Sequence, residues 1–123
     1  MNKVVFCMSA ACFTLFGANV SKAADAEAGK KVFNKCAVCH STESGVIKVG
    51  PSLYGLVGRK AGSLPNFNYS SAMKNYGVTW TPETLNTYLA APMEQVKGTK
   101  MTFPGIKDET DRANVIAYLE TLK

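Results

Sequence analysis

The sequence predicts an all-α domain of short helices joined by long loops, and three observations carry that reading. Apolar residues recur at helical spacing in three separate stretches, each preceded by a residue suited to cap a helix. No stretch alternates apolar and polar residues as a half-buried strand does, and no internal repeat or low-complexity tract interrupts the chain. The segments between the helical stretches are punctuated by glycine and proline too often for regular structure to persist.

Taken in order, the chain opens on Lys3, eighteen uncharged residues from Val4 to Ser21, and Lys22. A short charged start, an apolar run and small residues at Ser21 and Ala23 fit a secretory signal cleaved after Ala23. The alternative is a retained anchor helix, since eighteen residues just span a bilayer; Ser9, Thr14, Gly17 and Asn19 dilute the apolarity and favour cleavage. The domain organisation expected is therefore a signal peptide over 1–23 and one compact domain over 24–123. Loss of Lys3 and Lys22 lowers the charge balance from +5 to +3, and export also removes Cys7 and Cys12. A mildly basic chain of this kind suits encounters with an acidic protein surface. It has no basic helix, aromatic platform or other nucleic-acid motif.

The first helix is expected after Asp25 as cap, with Glu27 near the positive end of its dipole. Ala28, Val32 and Cys36, with Gly29 and Phe33 beside them, form its buried face. Gly29 costs helix propensity; either another helix approaches closely there, or a glycine is tolerated near a fraying end. From Ser41 to Gly62 the chain reads as loop. Ser70 to Asn75 makes a brief helical turn ended by Gly77. The next helix has Thr81 as cap, Pro82 at its first position and Glu83 in its first turn, buries Leu85, Tyr88 and Leu89, and is stopped by Pro92. Val96 to Gly105 is loop again, with Met101 in its middle. The last helix runs from near Asp108 towards Lys123, with Val115, Ile116, Leu119 and Leu122 on one side. So much loop in so small a domain is unusual, unless a large rigid body supplies the missing core.

Cys36-Ala37-Val38-Cys39-His40 identifies that body. Two cysteines three apart can each add across a haem vinyl group, and the histidine that follows is carried beneath the iron, so C-x-x-C-H reads as c-type haem attachment. His40 is also the only histidine in the chain. Zinc would need about four ligands, and the only other cysteines lie in the segment expected to be removed. A thioredoxin-like pair would want a βαβ context, whereas the flanks read as helix followed by Gly-rich loop, and that reading and a simple structural disulfide are the minor alternatives to haem. With His40 on one face of the iron, the soft donors for the other face are Met73, Met93 and Met101. A loop residue can bring its side chain to a fixed point over the ring, which favours Met101 over two methionines at helix ends without excluding them. A thioether in that position raises the potential.

With these residues in place, the chain resembles the class I cytochromes c, of the bacterial cytochrome c2 or mitochondrial cytochrome c type. Besides Cys36 to His40, the matching pieces are Gly50-Pro51-Ser52-Leu53-Tyr54-Gly55-Leu56, Gly58-Arg59, Gly77-Val78-Thr79-Trp80, Gly98-Thr99-Lys100-Met101 and Ile116-Ala117-Tyr118-Leu119. The resemblance implies a cytochrome c fold around one covalent haem c, with Cys36 and Cys39 as attachment points and His40 and Met101 as iron ligands. It implies further that the Pro51 carbonyl receives the outer N–H of His40 and that Arg59, Tyr69 and Trp80 attend the haem propionates. Tyr88 is expected near the sulfur ligand and Thr99 near the propionates, with Gly29 and Phe33 meeting Tyr118 and Leu119 where the first and last helices cross.

Three positions depart from that pattern. Met73 stands where many relatives have an asparagine that helps order a buried water. Met93 and Glu94 follow Pro92 where mitochondrial relatives have lysines, and one residue fewer separates Phe33 from Cys36 than in mitochondrial forms, which favours the bacterial type.

The function expected is one-electron transport by a monomeric periplasmic carrier, since two strong ligands leave no vacant iron site. No nucleophile, acid–base pair or phosphate loop suggests an enzyme. The resemblance implies a quinol–cytochrome c oxidoreductase as donor and an oxidase or photosynthetic reaction centre as acceptor, with Lys30, Lys31, Lys35, Lys48, Lys97 and Lys100 as candidates for the docking patch. The alternative is a haem peroxidase or gas-binding protein, which requires Met101 to be off the iron; a membrane-anchored carrier differs only in the fate of residues 1–23.

Overall fold

The structure is a computed structural model that describes residues 23–123. The expected signal segment over 1–23 lies outside those residues but for Ala23. Five helices follow in order: α1 Ala26–Ala37, α2 Ser71–Lys74, α3 Pro82–Ala90, α4 Pro92–Gln95 and α5 Glu109–Glu120. Among the described residues no strand forms; Lys60 and Thr79 make one isolated antiparallel bridge. None of these helices is long and apolar enough to cross a membrane.

The helix starts obey their sequences. The Asp25 carboxylate accepts from the N–H groups of Glu27 and Ala28 at 2.9 and 3.2 Å. Thr81 and Thr84 cap reciprocally: the Thr84 N–H donates to the Thr81 hydroxyl at 3.2 Å, and the Thr81 N–H donates to the Thr84 hydroxyl at 2.8 Å. The Asp108 carboxylate accepts from the Asp111 N–H at 2.8 Å. Each cap satisfies main-chain donors that a helix start leaves open.

Helices α1 and α5 cross and form the main direct contact between elements. Gly29 is buried at the crossing, and a Cβ there would overlap the main-chain carbonyl of Asn114. This settles the two readings of Gly29: the lost helix propensity is exchanged for close approach of another helix. Phe33 packs on Tyr118 with ring centroids 5.2 Å apart, as expected, but Gly29 faces Asn114 and Val115, a turn earlier than Tyr118 and Leu119. The Asp25 N–H donating to the Asn114 side-chain oxygen at 2.8 Å closes the same corner. Val115, Ile116 and Leu119 fill the core beneath, with Leu85, Leu89 and Ile106.

Pro92 ends α3, as read from the sequence, and also opens a further turn. Ala91 breaks the helix with φ −157° and ψ 72°, and Pro92 then opens the single turn α4. Proline suits the first helical position because its missing N–H would have had no partner.

Candidate functional site

The Cys36–His40 turn grows out of the end of α1. The Cys36 carbonyl accepts from the N–H groups of both Cys39 and His40, at 3.0 and 2.9 Å. This tight turn replaces the next helical turn and holds both sulfurs and the imidazole against one cavity. Among the described residues Cys36 and Cys39 form no disulfide. Burial pushes the Cys36 thiol above its ordinary pKa, with nearby Lys35 opposing the shift.

That cavity has a volume of about 390 Å³, within the range of small-molecule and cofactor sites. All ten residues singled out from the sequence line it: Cys36, Cys39, His40, Pro51, Arg59, Tyr69, Trp80, Tyr88, Thr99 and Met101. They come from α1, the loop after it, the 59–69 segment, the start and body of α3, and the 99–101 loop. The long loops thus converge on one space, with Leu56, Leu85, Leu89, Val115 and Leu119 completing its apolar wall. Met73 also lines the cavity, but exposed Met93 does not.

His40 is held by the main chain of Pro51. Its Nδ1 lies 2.7 Å from the Pro51 carbonyl, which makes Nδ1 the protonated nitrogen and leaves the Nε2 lone pair for a metal. Burial pulls its pKa below the usual imidazole value, against the raising effect of the Pro51 bond, so the ring is neutral, as a ligand must be. Gly50 makes this seat possible, because a Cβ there would strike the imidazole.

Met101 is held with equal care. The Tyr88 hydroxyl donates to its sulfur at 3.4 Å, and its N–H donates to the Thr99 hydroxyl at 3.1 Å. Burial pushes the Tyr88 phenol up to about 12, so it remains a donor at any ordinary pH. Tyr88 also packs on Trp80, with ring centroids 4.9 Å apart.

Arg59 is partly buried, and desolvation is the main influence lowering its pKa. Its guanidinium donates to the Tyr54 and Ser52 carbonyls at 3.2 and 3.0 Å. Both acceptors are neutral carbonyls, which suits a further, acidic group in the cavity. The Tyr69 hydroxyl accepts from the Leu64 N–H at 3.3 Å, and the Tyr69 ring meets Phe67 edge-on at 4.9 Å. The Thr99 hydroxyl accepts from the Met101 N–H, which ties the 99–101 loop together and leaves its own proton for a further acceptor. Of the six candidate docking lysines, only Lys35 and Lys100 border the cavity.

Sequence reasoning missed Gly50, Ser52 and Phe67 as parts of the site. Gly50 stands in the sequence as loop punctuation and as part of a matching piece, with no role assigned, since its contact with His40 depends on where the loop returns. Ser52 is buried at 4% exposure and supports Arg59 through its main chain, which side-chain chemistry does not reveal.

The residues fit a haem. Two thiols stand at its attachment spacing, a neutral imidazole presents one nitrogen, a thioether is fixed by a phenol, and a guanidinium held by neutral carbonyls suits carboxylates, all around one apolar space. Among the described residues no three of His, Cys, Asp and Glu gather to hold a metal unaided, so the iron needs the porphyrin's own donors. Fold and site together define a protein of the c-type haem class.

Comparison with known proteins narrows the class. The cytochrome c family model matches residues 26–123, and the chain belongs to that family. It is 52% identical over 102 residues to cytochrome c2 of Rhodoblastus acidophilus, covering 82% of this chain and 95% of that one. It is 49% identical over 100 residues to cytochrome c of Euglena viridis, covering 80% and 98%. The solved structure of cytochrome cH from Methylobacterium extorquens superposes with a TM-score of 0.75 at 46% identity, covering 79% of this chain and 98% of that one. The fold is the cytochrome c fold, the cofactor is one covalently attached haem c with its iron, and the chain is an electron carrier, not an enzyme. The peroxidase alternative is set aside on that ground.

Proposed function

We propose that the chain is a periplasmic one-electron carrier whose haem is attached through Cys36 and Cys39 and ligated by His40 and Met101. The observation that carries this reading is that both ligand side chains line the same cavity and each is fixed by a second group. Pro51 orients the His40 ring, and Tyr88 holds one lone pair of the Met101 sulfur while the other stays available. When bound, the haem supplies a one-electron change at its iron. The chain does the rest: Leu56, Leu85, Leu89, Val115 and Leu119 exclude water, Arg59 and Tyr69 receive the acidic edge, and the Tyr88 bond withdraws density from sulfur. Each of these favours a raised potential.

The expected donor is a quinol–cytochrome c oxidoreductase, and the acceptor an oxidase or a photosynthetic reaction centre. Residues 1–23 act as an export signal removed after Ala23, leaving a monomer. The test is a spectroscopic redox titration of protein purified from the periplasm, joined to N-terminal sequencing. A single one-electron wave from a chain beginning at Ala24 supports the proposal. A wave absent or split, or an intact Met1 in the membrane fraction, rejects the corresponding part.

A further inference from the structure

Three aromatic rings close on one another in the wall of the cavity and behind it. Trp80, the only tryptophan in the chain, lies 4.9 Å from Tyr88 and 6.0 Å from Tyr76 between ring centroids, and Tyr76 lies 6.1 Å from Tyr88. All three pairs are tilted, at spacings where aromatic rings attract one another. Trp80 and Tyr88 are buried and line the cavity, whereas Tyr76 is half-buried and does not line it. The trio therefore leads from the cavity wall to the surface. The end of α2 sets this path: the Tyr76 N–H donates to the Met73 carbonyl at 3.2 Å, and Gly77, at φ 75°, turns the chain on towards Trp80. Electron carriage at the haem does not call for Tyr76. The two tyrosines differ in the fate of the hydroxyl proton, and a phenol gives up an electron readily only when that proton can leave with it. Tyr88 directs its proton at the Met101 sulfur at 3.4 Å, and a thioether is a weak acceptor. The Tyr76 hydroxyl makes no side-chain hydrogen bond among the described residues, and no buried side-chain polar atom among them lacks a partner. It therefore faces water, which takes a proton readily.

We infer that Trp80 and Tyr76 form an outlet for oxidising equivalents, through which damage begun by a radical oxidant in the cavity wall is discharged at a surface phenol. A diffusible one-electron oxidant takes an electron from the Trp80 indole and leaves in its reduced form. Tyr76 then passes an electron to the indole radical cation, which restores Trp80, and the Tyr76 hydroxyl proton goes to water. The net products are the reduced oxidant, a proton and a neutral phenoxyl radical on Tyr76. A reductant of the ascorbate class returns that radical to the phenol by hydrogen-atom transfer. Without the outlet, the indole radical stays in place and combines with dioxygen, which oxygenates a ring that walls the cavity. The remaining tyrosines are placed elsewhere: Tyr69 packs on Phe67, Tyr118 packs on Phe33, and Tyr54 is exposed beside a second cavity.

The test uses the oxidised holoprotein, so that the electron comes from the chain, with tris(bipyridine)ruthenium(III) generated by a laser flash as the oxidant. Freeze-quenched electron paramagnetic resonance reads where the radical rests, and ring-deuterated tyrosine tells phenoxyl from indolyl. Wild type is expected to give phenoxyl. Tyr76→Phe keeps the ring against Trp80 and Tyr88, and is expected to lose the phenoxyl signal and hold the radical on the indole. Tyr54→Phe, which removes an exposed phenol outside the trio, is expected to match wild type. Transient absorption of wild type alone gives a second reading: the indolyl signal should decay as the phenoxyl signal rises, at a rate independent of protein concentration. After repeated flashes in air, peptide mass spectrometry should find oxygenated Trp80 in Tyr76→Phe and little in wild type. Phenoxyl that survives Tyr76→Phe, or disappears with Tyr54→Phe, overturns the inference. So does phenoxyl that rises with no indolyl before it, or equal oxygenation of Trp80 in wild type and Tyr76→Phe.

Discussion

The crossing of α1 and α5 and the loops around the cavity solve the same problem by opposite means. At the crossing, protein packs on protein: Gly29 admits the Asn114 main chain, and Phe33 lies on Tyr118. Around the cavity, the 41–62 and 96–105 segments carry almost no regular structure and are tied by scattered bonds such as those from Gly50 to Cys39 and from Gly55 to the Leu122 carbonyl. The first region packs protein on protein and meets the cavity only through Lys35, Cys36, Val115 and Leu119. The second is closed around a body that the chain does not encode, so its stability is shared with the haem.

The largest effect separates the two regions. Replacing Cys36 and Cys39 together with alanine should give a colourless chain, and hydrogen exchange should show protection lost through 41–62 and 96–105 before α1 and α5. Uniform loss would mean that the crossing also depends on the haem. Met101→Ala removes a packed side chain and, on the proposed ligation, an iron ligand: about 2–5 kcal/mol of stability is expected to go, carbon monoxide should bind the reduced iron promptly, and the potential should fall. Gly29→Ala acts on the other region. Forcing a methyl group into the helix crossing should cost about 3 kcal/mol in denaturant unfolding, with the absorption spectrum unchanged.

Smaller effects sharpen the contrast. Asp108→Ala removes the cap of α5 and should cost about 1 kcal/mol, again without a spectroscopic change. Tyr88→Phe deletes the bond to the Met101 sulfur; sulfur left richer in electrons stabilises oxidised iron. The potential should therefore drop by roughly 20–60 mV, the equivalent of one net hydrogen bond, and an unchanged potential would show that the contact does not tune the ligand.

The same division explains what could be read from the sequence. Helices α1, α3 and α5 were legible because Asp25, Thr81 and Asp108 cap them and their apolar residues keep a helical period. The single turn α4 was not, because a proline that ends one helix and one that begins the next look alike until the backbone at Ala91 is known. The bridge between Lys60 and Thr79 is one residue pair long, too short to leave an alternating pattern. In the site, Cys36, Cys39 and His40 fall within five consecutive residues and carry their chemistry openly. Met101 needed the resemblance to be preferred firmly over Met73 and Met93, since a methionine fits a core as readily as an iron. Gly50 and Ser52 act through contacts made only after the loop has returned past His40, and no local pattern encodes such a return.

The reduced holoprotein's absorption spectrum, recorded before and after exposure to carbon monoxide at neutral pH, tests the ligation most directly. With His40 and Met101 both on the iron, the spectrum is low-spin and carbon monoxide leaves it unchanged. Prompt conversion to a carbon monoxide complex would show that Met101 does not close the site, and the account of this chain as a carrier sealed on both faces would fail.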